Sequence, residues 1–544
     1  MVSQFVLDKC RKRTVYSVCL WYNVIQMKPI ATDTYSFESL IKRGYTYVDK
    51  TGLLYPLIND TLGGQFFLSR PRRFGKSLLV STFKCLFEGK RELFKGLAID
   101  ALDYDWKTYP VLHLDMGSMQ RPTVEEFEYF LCQTLDRLAV EHGVEISGSA
   151  IPADKFITLC DALAAKSPHG QFVMLVDEYD KPLLGALNTP EVVKFRDALK
   201  SFYSVIKTKE ALQRFTFITG ISKFSKVSIF SDLNNLTDIS MSAVAATLLG
   251  YTHDEVKKYF PDWIEKLGNA LGMTPKDAFA EIVKWYDGYK FHHAAEPVIN
   301  PVSLGLCLKD SEFRTYWSST AVPTFLVDLL KDKPLNLQLT DVEEEFIGTY
   351  EPDCPNVIPL LFQTGYLTIK GFCNMGGWRT YSLGFPNMEV RNSFNARLAR
   401  AYVGDGSGVS TTQMKCLRAL IAGDLETFFS TIKVFFANIP YDISSRAPEE
   451  TYQAVFCAIL YFIGVGVTPE VHTNEGSIDA VMETPDHVYV MEFKRDKSAA
   501  EALAQIKEKN YCEKFLGSGK KITLIGINFD SEKRNFDEWI AEEV

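Results

Sequence analysis

Eight residues narrow the folds open to this chain more than any others: Arg70-Pro71-Arg72-Arg73-Phe74-Gly75-Lys76-Ser77. They stand between an apolar run of strand length, Phe66-Phe67-Leu68, and a stretch from Ser77 to Glu88 that sets Leu79, Phe83, Leu86 and Phe87 on one helical face. A loop that leaves a strand and opens a helix turns unpaired N–H groups outward, and an anion suits that place. Gly75 lets the backbone approach a phosphate, Lys76 can neutralise β/γ oxygens, and Ser77 can ligate Mg²⁺. Arg73 joins them among the cofactor-binding candidates. The pattern G-x-x-x-x-G-K-[ST] is broken at its first position, where Arg70 replaces glycine.

Further along, Val173-Met174-Leu175-Val176-Asp177-Glu178 is an apolar strand ending in two carboxylates. With a phosphate loop upstream, the first acid is expected in the Mg²⁺ shell and the second beside the attacking water, so Asp177 is read as a metal ligand and Glu178 as the base. The later run Phe215 to Thr219 leads into Gly220-Ile221-Ser222-Lys223, where Thr219, Ser222 and Lys223 are candidate γ-phosphate sensors or plain loop residues. Between Gln65 and Gly220, strand-length runs alternate with amphipathic stretches, which predicts an α/β fold with a parallel sheet and crossover helices. Capping-box patterns stand at Thr123 with Glu126 and at Thr252 with Glu255. After Asp238 the texture turns mostly helical.

At 544 residues the chain is several times the usual domain size of roughly 150 residues, so several domains are expected. Its 46% apolar and 23% charged residues exclude disordered, collagen-like and coiled-coil classes. A net charge of -9, from 59 basic and 68 acidic residues, excludes a nucleic-acid binder that works by bulk positive charge. No C-x-x-C pair occurs among the 11 cysteines, which are read as reduced thiols of a cytoplasmic protein. No apolar run long enough to span a membrane occurs. A signal peptide is rejected, because Tyr16, Ser17, Tyr22 and Asn23 interrupt the apolar stretch it would need, and residues 1–26 are read as an upstream extension contributing little, because Met27 stands immediately before Lys28-Pro29-Ile30, where the organised pattern begins.

A second site emerges near the end of the chain. Ile478-Asp479-Ala480-Val481-Met482 and Val488-Tyr489-Val490-Met491-Glu492-Phe493-Lys494 flank a turn at Pro485-Asp486. A two-residue loop pairs position 484 with 487 and, counting outward, Asp479 with Glu492; Lys494 shares that face. Facing carboxylates repel unless a cation lies between them, and a hard ion such as Mg²⁺ accepts this oxygen set. Lys494 can then stabilise charge on a reacting phosphate or position water. A bulge at the turn would shift the register and spoil the pairing. Between Glu492 and Lys521, 8 basic residues outnumber 5 acids, which fits either local phosphate contact or a solvated helix face.

These strings, together with Tyr47-Val48-Asp49-Lys50-Thr51, Asp177 to Pro182, Trp285-Tyr286-Asp287-Gly288-Tyr289-Lys290-Phe291 and Leu383-Gly384-Phe385-Pro386-Asn387, closely resemble bacterial AAA-ATPase-like proteins whose C-terminal domain belongs to the PD-(D/E)XK nuclease superfamily. The resemblance runs from about Lys28 to Asn535. It implies a P-loop NTPase parallel sheet, a helical or winged-helix-like middle region, and a restriction-endonuclease-like α/β domain. Arginine at the first loop glycine is usual in that family. The implied division is 1–27 extension, 28–245 P-loop AAA-ATPase-like domain, 246–403 middle region, 404–445 linker and helical segment, and 446–544 nuclease-like domain. The nuclease family's Asp, Glu-x-Lys and helix Gln fall on Asp479, Glu492, Lys494 and Gln505, with Tyr511 following and Glu450 chosen for an acid on the preceding helix.

The leading expectation is a P-loop ATPase, binding and hydrolysing ATP, coupled to a Mg²⁺-dependent nuclease domain acting on DNA, with RNA left open, in defence or mobile-element biology. A nucleotide-dependent switch with an inactive nuclease-like domain, and a nuclease on a non-hydrolysing ATP scaffold, are the competing readings. Homo-oligomerisation is left open, and no membrane partner is expected.

Overall fold

The computed structural model describes residues 27–59, 62–187, 189–223, 235–317, 339–344, 347, 357–394, 409–437, 456, 466–473, 476–484, 486–530, 532–533 and 535–544. The extension 1–26, Phe224 and Ser225, linker residues 404–408, Glu450 and Pro485 lie outside them. The chain forms two compact units, Met1–Trp317 with Thr340–Met388, and Ser318–Leu339 with Glu389–Val544.

In the first unit β1 (Gln65–Ser69), β2 (Val111–Asp115), β3 (Phe172–Asp177), β4 (Gln213–Gly220) and the short β5 (Thr237–Asp238) make a sheet of order β2-β3-β4-β1-β5. Every pairing in it is parallel. Parallel strands joined by crossover helices are covered on both faces, so β3 is buried along its whole length and reads as a continuous apolar run. The helix opened by the loop, α1 (Lys76–Phe87), buries Leu79, Phe83, Leu86 and Phe87. Phe83 and Phe87 each bring their rings to 4.9 Å from Phe215 of β4. Helices α2 (Val124–His142), α3 (Pro152–Lys166) and α4 (Val192–Thr208) complete the crossovers. Thr123 caps α2 by accepting the Glu126 N–H. Because all strands run the same way, their carboxyl ends share one edge, where crevices in such sheets take ligands.

The middle of this unit is helical, as expected: α5 (His253–Tyr259), α6 (Pro261–Leu271), α7 (Pro275–Tyr286) and α8 (Pro301–Asp310). The full reciprocal capping box forms at Thr252 and Glu255. Val256, Phe260, Leu267, Ile282 and Leu304 make their own core, which also takes in Ile30 and Val48 from the start of the described chain. A small sheet of order β6-β8-β7 follows, from β6 (Leu339–Glu343), β7 (Thr368–Met375) and β8 (Trp378–Gly384), with α9 (Val357–Thr364) ahead of β7.

The second unit is built on a mixed sheet of order β13-β12-β11-β10-β9. Its strands are β9 (Gly466–Thr473), β10 (Gly476–Glu483), β11 (His487–Arg495), β12 (Lys521–Asp530) and β13 (Asn535–Glu543). Only β11 and β12 pair in parallel. One face of the sheet packs Tyr489, Met491 and Phe493 with Leu420 of α10 (Val409–Ala422) and Phe428 of α11 (Leu425–Ala437). The other face packs Val488 and Val490 with Leu503 and Ile506 of α12 (Ala499–Glu508). Strand alternation therefore places Glu492 and Lys494 on the α12 face. At Gly526 of β12 an added Cβ would lie 2.2 Å from the Ala499 carbonyl oxygen, so α12 rests directly on the strand backbone. Among the described residues no helix is long and apolar enough to cross a membrane.

Candidate functional sites

The phosphate loop opens α1 through Gly75, which holds φ 93° as the N-cap residue, a conformation that glycine adopts without strain. Lys76 follows and is buried at 7% exposure. Its Nζ donates to the carbonyls of Arg70 (2.9 Å) and Pro71 (3.1 Å), so the ammonium lies within the arc of its own loop. Burial pushes its pKa down, while Asp177, Glu178 and Asp180 favour the charged form. The Ser77 hydroxyl is near enough to the Asp177 carboxylate to lower its pKa, so the two expected Mg²⁺ ligands are neighbours. Burial raises Asp177 to about 6, against the pull of Ser77 and Lys76.

Glu178 stands just past the strand with φ 49°, a left-handed value rare for a non-glycine residue, and its N–H donates to Asp177 Oδ1 at 2.9 Å. A Cβ built on Gly117 would lie 3.0 Å from Glu178 Oε2 and 2.9 Å from Asp115 Oδ1, so the two carboxylates converge there. Asp115 was not singled out in the sequence, although it ends β2 as Asp177 ends β3 and the two are in register. The signal lay in the apolar run Val111 to Leu114 closing on an acid.

Thr219 is placed differently from the expectation. It is wholly buried, and its hydroxyl donates to the Leu68 carbonyl at 2.7 Å, so it ties β4 to β1 instead of facing a nucleotide. Ser222 gives both N–H (2.7 Å) and hydroxyl (2.5 Å) to Asp180 Oδ2, and Lys223 pairs with Asp238 while its N–H reaches Gln363 Oε1 at 2.8 Å. The loop after β4 is thus held by acids and an amide. Arg73 is half-buried with φ 71°.

In the second unit the hairpin has the counted register. The ladder runs from Glu483↔Val488 to Ala480↔Met491, and one more step sets Asp479 opposite Glu492. Asp479 Oδ2 accepts the Phe493 N–H at 2.8 Å, which fixes that carboxylate against β11. Glu492 is 2% exposed. Its Oε1 receives Lys494 Nζ at 3.3 Å and the amide of Gln505 from α12. Its Oε2 is buried and, among the described residues, has no hydrogen-bond partner. Burial first, and the neighbouring Asp479 second, raise Glu492 to about 7. Asp479, Glu492, Lys494 and Gln505 are therefore brought to one place. Tyr511 is not available to a substrate: at 1% exposure it packs with Ile478, Val490 and Leu503 in the core under α12.

An orphaned carboxylate oxygen beside a second carboxylate fits a hard divalent ion, since buried acids need partners. Among the described residues no group of three or more His, Cys, Asp or Glu gathers, and Glu450, the acid expected from the preceding helix, lies outside them.

Residues 29–230 match the family described as predicted AAA-ATPase, and residues 447–539 match the PD-(D/E)XK nuclease superfamily. An uncharacterized protein encoded in the vnfD 5' region of Azotobacter chroococcum mcd 1 is 35% identical over 527 residues, covering 94% of this chain and 98% of that protein.

Proposed function

We propose, from the premise that this chain belongs to the family of predicted AAA-ATPases carrying a C-terminal PD-(D/E)XK nuclease superfamily domain, that it binds and hydrolyses ATP in its first unit and cleaves DNA in its second. The observation that carries the nuclease reading is the buried Oε2 of Glu492, without a hydrogen-bond partner among the described residues and set against Asp479. Asp479 and Glu492 would hold a divalent ion, Mg²⁺ in this reading, whose charge would offset theirs and polarise a phosphodiester. Lys494, partly open to solvent, carries a cation to the same spot and would stabilise the charge that builds on the reacting phosphate. Gln505 orients Glu492 from α12.

In the first unit Ser77 and Asp177 would hold Mg²⁺ and Lys76 would leave its loop carbonyls for the β/γ oxygens. Glu178, with Asp115 beside it, would draw a proton from the attacking water. A cytoplasmic setting in defence or mobile-element biology accords with a nuclease that carries its own nucleotide site.

The test is cleavage of linear duplex DNA, single-stranded DNA and RNA by the full chain, with Mg²⁺ or EDTA and with or without ATP. DNA cleavage that needs the ion and is lost in both Asp479→Ala and Glu492→Ala is expected. Intact DNA with every ion and nucleotide, alongside normal ATP turnover, would favour the switch reading.

A further inference from the structure

The string Trp285 to Phe291 has no part in the chemistry above, yet its Tyr289 and Phe291 lie against the phosphate loop. Arg70, where the pattern calls for glycine, is 1% exposed. Its guanidinium donates to the carbonyls of Ser69 (2.9 Å), Ser240 (2.7 Å) and Ala245 (2.7 Å), and lies 4.0 Å from the centroid of the Phe291 ring. Three carbonyls and a ring take up this cation, which makes it a structural post and not a phosphate ligand. The ring of Phe74 meets Tyr289 at 4.8 Å and Phe291 at 5.5 Å, both edge-on. Pro71 fits against Gly365 so closely that a Cβ there would come within 2.7 Å of it. The carbonyl of Arg72 accepts from Asn300 Nδ2 at 3.5 Å. Arg73, between these braced neighbours, holds φ 71°, which a non-glycine residue keeps only when its surroundings enforce it.

The brace is itself anchored. Gly288 has φ 98°, and a Cβ on it would lie 2.2 Å from the Pro386 carbonyl oxygen. Asn387 Nδ2 donates to the Asp287 carbonyl at 2.8 Å, and His253 Nε2 lies 2.8 Å from the Asp287 carboxylate. The two strings that the chemistry left unused, around Gly288 and around Pro386, thus back one another.

We infer that Tyr289 and Phe291 are positioning residues for nucleotide binding, acting through Phe74 and Arg70 to impose the loop curvature that glycine gives in the unbroken pattern. This rests on the nucleotide-binding reading, and the experiment separates the two. ATP affinity of the full chain is measured by titration calorimetry, and KM and kcat by steady-state ATPase assay, for Phe291→Leu, Phe291→Trp, Arg70→Met, the Arg70→Met/Phe291→Leu double variant, Lys76→Ala and Ile282→Ala. Ile282 is a core residue of the helical cluster and serves as the stability control.

Phe291→Leu and Arg70→Met are each expected to weaken ATP binding at least tenfold, mostly in KM, with the double variant no worse than the weaker single one and Phe291→Trp largely restored. Ile282→Ala should lower the melting temperature and keep its affinity within twofold of the parent. Parent-like affinity in Phe291→Leu, or an equal loss in Ile282→Ala, overturns the inference. Unchanged affinity in Lys76→Ala overturns the nucleotide reading instead. If Arg70→Met does not fold, the cycle of Phe74→Leu with Phe291→Leu carries the same comparison.

Discussion

At the scale of single residues, Glu492 is a buried carboxyl with one oxygen that has no hydrogen-bond partner among the described residues. Its pKa of about 7 in the folded chain stands above the ordinary 4.5, so the folded state holds this proton more tightly than the unfolded one. That preference favours folding below about 4.5 and is lost as pH rises through 7. Glu492→Gln should therefore melt higher than the parent at pH 8 in EDTA, by on the order of 2 kcal/mol, with the gap closing at pH 5. Scanning calorimetry at the two pH values checks this; a lower melting point at pH 8 would mean that the ionised carboxylate is already well satisfied. Asp177 gives a second pH effect. As pH falls through about 6 its carboxylate takes up a proton and Mg²⁺ must displace it, so Mg·ATP affinity should drop below pH 6. Titrations at pH 7.5 and 5.5 measure it, and equal affinities would remove Asp177 from the metal shell. Glu178→Gln keeps the shape of the site and loses the base, so it should bind ATP like the parent and turn over about 100-fold more slowly. An ATPase assay with parent-like rates would reassign the base, with Asp115 next in place.

At the scale of elements, the pairing of β10 with β11 was legible because a hairpin's register follows from the length of its turn, and counting outward from Pro485-Asp486 needs only the sequence. The continuous apolar run of β3 announced a strand buried on both faces for the same kind of reason. What could not be read was set by packing between distant segments. Thr219 looked like a polar residue at a strand end, but the Leu68 carbonyl of the neighbouring strand claims its hydroxyl. Tyr511 looked like part of a catalytic string, and the sheet under α12 buries it. Gly526 drew no attention within the run Leu524 to Phe529, although a lone glycine inside a strand often marks a close backbone approach. Here that approach lets α12 carry Gln505 to Glu492. Gly526→Ala should push the helix off the strand, lower stability by about 1 to 3 kcal/mol and reduce cleavage further than the stability loss accounts for. Denaturant melts and cleavage rates on the same preparation measure both, and full cleavage by a folded variant would show that Gln505 does not depend on this contact.

At the scale of the whole molecule, two cores imply two unfolding events that respond to different ligands. In calorimetry, Mg·ATP should raise one transition in the parent and not in Lys76→Ala, whereas Mg²⁺ without nucleotide should raise the other in the parent and not in Glu492→Gln. A single transition that answers to both variants would mean that the units unfold as one. The middle region was the least legible part, because its residues serve the loop through contacts far along the chain: Gln363 holds Lys223 across 140 positions, and Gly365 seats Pro71. That bears on how the protein is made. A ribosome that has just released residue 230, the end of the AAA-ATPase match, has delivered β1 to β4 and the nucleotide loop without β5, and without Tyr289, Phe291, Asn300 or Gly365 to hold that loop. The nascent first unit stays incomplete until Met388 emerges, so a gene fragment trimmed to the recognisable domain would encode a sheet with its central loop unbraced.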